Sequence, residues 1–362
     1  MSGTTSSTST ISSATLAFQR AMPMTRLLDC GMDFADAQAL FRRTSDGEDW
    51  DQAAEALAQA QLHRAAQAAD AGYRVTAVEA QSAALADLLF AQMAFNHDTP
   101  RKRALYDQLT MATRQLCAWS EARMSRVEVP FDQGELIGWL VRPQAAQARG
   151  TVLVFGGQSG WGVAYLPIAR ALARRGLATL LAEGPGQGET RMRQGILVDV
   201  DMEAAYSQFI SFIVNDASLG LPGIWGNSVG GLWSARTAAA DRRIRACCVN
   251  GGLAAPTLLP FRTFAEQAGA MLGTDDEIAI ARNFKRMSFS PERDRIHCPL
   301  LVLHGGADPL VKPEDLQPFL DGADNADVTL RVWEDGEHTL YNHAAERTAF
   351  VADWFAQRLG DR

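Results

Sequence analysis

One serine in this sequence is placed for nucleophilic chemistry. It lies in residues 226–231, GNSVGG, directly after the apolar run 223–225 and directly before a stretch with helical character. A G-x-S-x-G pattern between a strand and a helix is typical of a strained turn that lifts the serine hydroxyl above a sheet edge. The dipole of the following helix favours negative charge at its N-terminus. We therefore predict that Ser228 is a nucleophile, with a purely structural glycine turn as the alternative.

A nucleophilic serine needs a base, and the base needs an acid that orients it. In chains with this turn, the acid and then the histidine follow the serine, each after a strand. Asp308 follows the apolar run at 300–303, and His338 follows the run at 328–333. Both residues are therefore predicted to complete a Ser–His–Asp triad.

The sequence offers alternatives to both partners. His343 is the second candidate base, although its position indicates the start of the last helix, and Glu314 could replace Asp308 but falls within a predicted helix. The remaining histidines are expected to be structural: His63, His97, His297 and His304. No histidine pairs with a cysteine or carboxylate at the spacing of metal ligands, so no metal and no cofactor are predicted.

Acyl transfer also requires donors for the negatively charged oxygen of the tetrahedral intermediate. The backbone N–H of Val229 is one predicted donor. The loop 156–160, GGQSG, supplies the other, and Gln158 is its predicted donor, unless these glycines only form a flexible turn. The predicted substrate contacts are Gly157, Trp161 and Phe261.

A second glycine-rich loop, EGPGQG at 183–188, could suggest nucleotide binding. It lacks both the G-x-G-x-x-G spacing and the Lys-Ser/Thr pair of a phosphate-binding loop. Nucleotide binding is therefore a weak interpretation of this loop.

The order of predicted elements indicates how these residues are held. Apolar runs that alternate with amphipathic helices are typical of a mostly parallel sheet covered by helices on both faces. The predicted strands are 127–131, 135–141, 151–155, 178–181, 223–225, 246–249, 300–303 and 328–333. An insertion at 251–297 carries enough apolar residues to line or cover a pocket.

The N-terminal part of the chain reads as helical throughout. Helices are predicted near 51–71, 75–95 and 101–122, with a capping box at 45–48. We therefore predict a disordered tail at 1–17, a helical domain at 18–125 and an α/β domain at 126–362.

Composition narrows the classes of partner and location. A net charge of −8 argues against nucleic acid as the main partner, because a basic excess is needed to neutralise phosphates. The five cysteines form no CxxC pair, which favours a reducing compartment. No apolar run approaches the roughly 20 residues that span a bilayer. The Ser/Thr-rich start lacks the basic and apolar regions of a signal peptide, so we expect a cytoplasmic protein.

The motifs GNSVGG, LHGGAD and GEH together resemble the α/β-hydrolase superfamily over residues 126–362. The loop at 183–188, the segment CGMDF at 30–34 and the pair at 49–50 resemble a narrower group. That group includes dihydroxy-pseudo-oxynicotine hydrolase, the fermentation-respiration switch protein and fungal polyketide chain-shortening hydrolases. The resemblance implies an α/β-hydrolase fold, an N-terminal helical cap, a homodimer and a small-molecule acyl substrate.

Carried over by position, the resemblance gives Ser228, His338 and Asp308 the triad roles and Gln158 and Val229 the oxyanion hole. Relatives that cleave a carbon–carbon bond beside a ketone place an acidic residue in the insertion, whereas residues 251–257 here contain no carboxylate. This difference favours ester, thioester or lactone hydrolysis. The alternatives are an acyltransferase or cyclase that uses the same acyl-enzyme, and a non-catalytic regulator with this fold.

Overall fold

The computed structural model describes residues 11–360, except residues 122, 133 and 159. Contacts divide the chain into two compact units. The first comprises the described residues up to Phe95 together with Pro100–Ala112, and the second comprises Asn96–Thr99 and the chain from Thr113 onward. Among the described helices, none has the length and apolar character needed to cross a membrane.

The first unit is helical. Its helices are α1 (Ser13–Ala21), α2 (Met24–Asp29), α3 (Phe34–Ser45), α4 (Trp50–Asp70), α5 (Arg74–Gln92) and α6 (Pro100–Trp119), and the division between the units falls inside α6. The buried positions of α4 after its first residue are all alanine, which lets α5 pack closely against it. The buried Trp50 indole donates a hydrogen bond of 3.1 Å to the carbonyl oxygen of Phe90 and so ties the two helices together.

The start of the chain differs from two expectations. Residues 1–10 of the predicted tail lie outside the described residues, and α1 already begins at Ser13, because the Ser12 hydroxyl accepts from the Thr15 N–H. The predicted capping box at 45–48 is wrong. Asp49 is the N-cap residue of α4, and the Glu48 side chain binds Arg43 instead.

The second unit is built on one sheet of eight strands. Its strands are β1 (Met124–Phe131), β2 (Gly134–Val141), β3 (Gly150–Phe155), β4 (Ala178–Glu183), β5 (Leu221–Asn227), β6 (Cys247–Asn250), β7 (Leu300–Gly305) and β8 (Val328–Trp333). They are ordered β1-β2-β4-β3-β5-β6-β7-β8, and only β1 with β2 and β2 with β4 pair antiparallel. All eight predicted strands are confirmed. Gln133, in the connection between β1 and β2, lies outside the described residues.

Eight α-helices follow α6 in the described part of the second unit. They are α7 (Leu166–Ala173), α8 (Gly188–Met192), α9 (Met202–Asn215), α10 (Val229–Ala240), α11 (Arg262–Leu272), α12 (Glu277–Met287), α13 (Pro313–Asp321) and α14 (Ala344–Leu359). Helices α11 and α12 form the predicted insertion at 251–297.

The buried central strands leave the ends of the sheet as the place for polar residues. Every residue of β3, β4, β6 and β7 is buried, as expected of parallel strands that are covered on both faces. In open α/β sheets, functional loops gather beyond the carboxyl ends of the strands. Here β5, β7 and β8 end directly before the segments that carry Ser228, Asp308 and His338, and β6 lies between β5 and β7.

One carboxyl group in the first unit lies in an unfavourable setting. Asp87 on α5 is fully buried, and neither of its carboxyl oxygens has a hydrogen-bond partner among the residues that the structure describes. Burial raises the pKa of Asp87 well above its usual value of 3.8, and the nearby carboxyls of Asp36 and Asp33 raise it further. The folded protein therefore keeps this proton at pH values where the unfolded chain has released it.

This raised pKa predicts a pH-dependent stability difference. Because the folded state holds the extra proton, the contribution of Asp87 to the free energy of unfolding falls as pH rises above 4 toward the folded pKa, by up to about 1.4 kcal/mol per pH unit. Asp87→Asn removes this loss, so its free energy of unfolding relative to wild type should increase between pH 5 and pH 8 in urea denaturation. Asp70→Asn, on an exposed residue, is the control. Equal differences from wild type at the two pH values for Asp87→Asn would contradict this assignment.

Candidate active site

Ser228 occupies a strained turn between β5 and α10. Its φ is 59° and its ψ is −133°, a conformation that few non-glycine residues adopt. Its N–H donates to the carbonyl oxygen of Asn250 at 2.9 Å, which anchors the turn to the end of β6. A Cβ atom at Gly226 would lie 1.9 Å from the carbonyl oxygen of Gly230, so the glycines of the motif are sterically required.

The structure brings the three predicted triad residues together. His338 Nε2 lies 2.9 Å from Ser228 Oγ, and His338 Nδ1 lies 2.8 Å from Asp308 Oδ2. Since an ionised carboxylate can only accept, Nδ1 carries the hydrogen of a neutral His338 ring. That leaves the Nε2 lone pair to accept from the serine hydroxyl. This is the geometry that general-base activation of a serine requires.

Asp308 is held from its other side by backbone groups. Its Oδ1 accepts from the N–H groups of Leu310 at 2.8 Å and Val311 at 3.2 Å, and its side chain is fully buried. The carboxylate therefore has a fixed direction, and it fixes the plane of the His338 ring in turn.

The loop after β3 approaches the start of α10. A Cβ atom at Gly157 would lie 2.6 Å from the backbone nitrogen of Val229, so this backbone approach requires glycine. The Gln158 side-chain amide donates to the carbonyl oxygen of Phe264 in α11 at 2.5 Å, so that side chain is directed toward α11. The backbone N–H of Gln158 is therefore the predicted oxyanion donor. Ser159 of the same loop lies outside the described residues.

The two aromatic residues predicted to contact substrate lie in different settings. Trp161 is buried after the loop 156–160, and the guanidinium of Arg191 lies 5.4 Å from its ring centroid. Phe261 precedes α11 with 47% of its surface exposed, and its ring contacts that of Phe264. Their part in substrate binding stays a prediction.

The alternative base has a different partner, and the alternative acid lies in a helix. His343 Nε2 lies 2.8 Å from Asp335 Oδ1, and Glu314 lies in the first turn of α13. His304 lies in β7 and is buried, which lowers its pKa. The geometry at Ser228 therefore involves His338 and Asp308.

The first carboxylate of the insertion is engaged elsewhere. Glu266 in α11 accepts from the Asn96 amide at 2.8 Å and forms an ion pair with Arg262 at 3.0 Å.

The chain is similar to several known proteins. A family model described as serine aminopeptidase, S33, matches residues 283–344, which include Asp308 and His338. The crystal structure of 2,6-dihydroxy-pseudo-oxynicotine hydrolase is similar with a TM-score of 0.83 and 21% identity, over 92% of this chain and 95% of that chain.

The chain has the α/β-hydrolase fold. The resemblance inferred from the sequence motifs and the predicted fold class are confirmed. Among curated relatives, 2,6-dihydropseudooxynicotine hydrolase of Paenarthrobacter nicotinovorans is 26% identical over 59% of this chain and 58% of its own length. The α/β hydrolase xenA of Xenoacremonium sinensis is 28% identical over 57% of this chain and 51% of its own length. The matched part thus spans little more than half of each relative.

A buried polar network supports the loop that carries His338. The side-chain amide of Asn250 donates to Asn227 Oδ1 at 2.9 Å and to the carbonyl oxygen of Thr339 at 3.0 Å. Arg347 Nη1 donates to the same carbonyl oxygen at 2.9 Å. Asn227 in turn donates to the carbonyl oxygen of Phe155 at 3.1 Å. The network therefore connects the serine turn, β3 and the residue after His338.

The backbone after His338 needs such support because it is strained. Thr339 and Leu340 have φ values of 53° and 65°, in the left-handed region that residues with a Cβ atom avoid. Two donors on the Thr339 carbonyl offset part of that cost and fix the direction in which the His338 side chain leaves the chain.

The sequence contained a weak signal for one of these supporting residues. Asn250 directly follows the predicted strand at 246–249, where a polar residue marks the carboxyl edge of the sheet. Arg347 gave no signal, because an arginine in an amphipathic helix is normally exposed, whereas here it is 1% exposed.

The network predicts that Asn250→Leu impairs activity more than it impairs folding. The substitution keeps the branching at Cγ but removes both donated hydrogen bonds, so we expect kcat on a reactive ester to fall about tenfold or more, with a stability loss of about 1–3 kcal/mol. Thr151→Val is the matched control, because the buried Thr151 hydroxyl donates at 2.6 Å to the Leu219 carbonyl at the opposite edge of the sheet. Equal kcat in both variants would show that Asn250 does not position His338.

Proposed function

We propose that this protein is a serine hydrolase that cleaves an acyl bond of a small, partly apolar compound through an acyl-enzyme. The observation that carries the proposal is the continuous hydrogen-bonded set from Ser228 Oγ through His338 to Asp308, at 2.9 and 2.8 Å. A structural role for the serine turn would not require a histidine within hydrogen-bonding distance of the hydroxyl, nor a buried carboxylate behind it.

The geometry supports the following acylation step. Ser228 Oγ attacks the substrate carbonyl carbon while its proton moves to His338 Nε2. The carbonyl oxygen becomes an oxyanion, which the backbone N–H groups of Val229 and Gln158 stabilise. The intermediate collapses, the bond to the leaving group breaks, and His338 gives its proton to the leaving oxygen or sulfur.

Deacylation reverses these proton transfers. Water gives a proton to His338 Nε2 and attacks the acyl carbon, and the second tetrahedral intermediate releases the carboxylic acid as the proton returns to Ser228 Oγ. Asp308 stays ionised throughout and stabilises the imidazolium that forms beside it.

An ester, thioester or lactone fits this site better than a carbon–carbon bond beside a ketone. Residues 251–257 contain no carboxylate, and the first one in the insertion, Glu266, is already bound by Asn96 and Arg262. Because some of the proteins that this chain resembles cleave a carbon–carbon bond beside a ketone, the substrate panel below also includes that bond type. The helical cap, the cytoplasmic location and the homodimer stay predictions.

Triad variants test the proposal. Ser228→Ala, His338→Ala and Asp308→Asn should each lower kcat on short p-nitrophenyl esters by about 10³-fold or more. His343→Ala and Glu314→Gln, which change the alternative base and acid, should stay within about threefold of wild type. A fluorophosphonate probe should label wild type and both controls but not Ser228→Ala. Labelling of Ser228→Ala, or a loss of activity in a control equal to that of the triad variants, would contradict the assignment.

The substrate class is tested by comparing bond types on the wild-type enzyme. A panel of esters and β-diketones with matched acyl groups should give turnover of the esters and little cleavage of the diketones. Preferential cleavage of the diketones would contradict the ester assignment while leaving the triad intact.

A separate experiment distinguishes hydrolysis from acyl transfer. Addition of an alcohol or amine should leave the free acid as the product, and formation of a new ester or amide would indicate an acyltransferase instead.

A further inference from the structure

The glycine-rich loop at 183–188 has no place in the mechanism above, yet it contacts the loop that carries the predicted oxyanion donor. Gln187 is buried, and its amide nitrogen lies 2.8 Å from the carbonyl oxygen of Gly156 and 2.8 Å from that of Gly157. A side-chain amide has two N–H donors, so each carbonyl can receive one hydrogen. Its Oε1 accepts from the Gly184 N–H at 3.2 Å, which fixes the orientation of the amide.

The backbone that presents Gln187 is itself held by the protein. Its N–H donates to the carbonyl oxygen of Gly184 at 3.0 Å, and its own carbonyl accepts from the N–H of Arg191 at 2.9 Å. The N–H of Gly186 donates to Ile196 at 2.9 Å. These N–H groups therefore bond within the protein, and the loop does not present them to a phosphate, so the nucleotide-binding interpretation of 183–188 is not supported.

Peptide geometry links the Gln187 contacts to the oxyanion donor. The Gly157 carbonyl and the Gln158 N–H belong to one planar trans peptide, so the two groups point in opposite directions. The carbonyl oxygen is held by Gln187 and, at 3.0 Å, by the N–H of Gly160. Fixing that oxygen fixes the direction of the Gln158 N–H. The same segment lies against the start of α10, because a Cβ at Gly157 would lie 2.6 Å from the Val229 nitrogen.

We propose that Gln187 is a positioning residue for the oxyanion hole, which sets the direction of the Gln158 N–H through its hydrogen bonds to the Gly156 and Gly157 carbonyls. The inference rests on the proposed acyl-transfer function. It assigns the 183–188 loop a role in transition-state stabilisation without any contact between Gln187 and the substrate.

Gln187→Met tests this role, since methionine fills a similar volume and donates no hydrogen bond. We expect kcat on p-nitrophenyl esters to fall about 10- to 100-fold with KM within about threefold, because the donor acts on charge that develops only in the transition state. Gln187→Asn is the second variant, because its shorter side chain cannot reach both carbonyls. Gln194→Met is the matched control on an exposed glutamine of the same segment and should behave as wild type.

A pair of inhibitors separates positioning from a general structural defect. A trifluoromethyl ketone forms a serine adduct with an oxyanion, whereas the matching methyl ketone binds mostly uncharged. Affinity for the trifluoromethyl ketone should fall about as much as kcat in the Gln187 variants, while affinity for the methyl ketone stays within about threefold.

Two results would overturn the inference while leaving the proposed function intact. One is a folded Gln187 variant that keeps wild-type kcat and trifluoromethyl ketone affinity, and the other is an equal loss of affinity for both ketones. Wild-type protein that neither reacts with the fluorophosphonate probe nor hydrolyses the esters would overturn the proposed function, and this inference with it.

Discussion

The hydrogen bond between His338 Nε2 and Ser228 Oγ, 2.9 Å long, is the contact that the proposed acyl-transfer chemistry requires. Its two partners are 110 residues apart in the chain, and each lies on backbone with positive φ at or beside it. Neither conformation is favourable by itself. The sheet makes both possible, because β5 and β8 end at the same edge. Asn250, at the end of β6, bonds both the Ser228 N–H and the Thr339 carbonyl oxygen.

Hydrogen bonds between backbone groups and buried side chains support this contact from several directions. Asp308 is fixed by two N–H groups, and the carbonyl of Thr339 is fixed by two side-chain donors. The carbonyls of the β3 loop are held by the amide of Gln187. In each case hydrogen bonds join a buried polar side chain to the backbone beside the proposed site, an arrangement that would organise the site before substrate arrives.

The sequence predicted the parts of the fold that follow local rules. All eight strands and the triad candidates could be found, because continuous apolar runs indicate buried strands and G-x-S-x-G in a strand–turn–helix context indicates Ser228. The capping box at 45–48 was wrong, because Glu48 binds Arg43 in the folded chain. The supporting role of Gln187 and the burial of Arg347 could not be predicted, since both depend on contacts between residues that are distant in sequence.

Detection of the covalent intermediate tests directly whether Ser228 forms an acyl-enzyme. Wild-type protein would be mixed with a slowly hydrolysed p-nitrophenyl ester, quenched in acid and analysed by intact mass and peptide mapping. An acyl-enzyme at Ser228 predicts a mass gain of one acyl group on the peptide that contains Ser228, and no gain in Ser228→Ala. Ester turnover with no acylated peptide, or acylation that persists at another residue in Ser228→Ala, would contradict it.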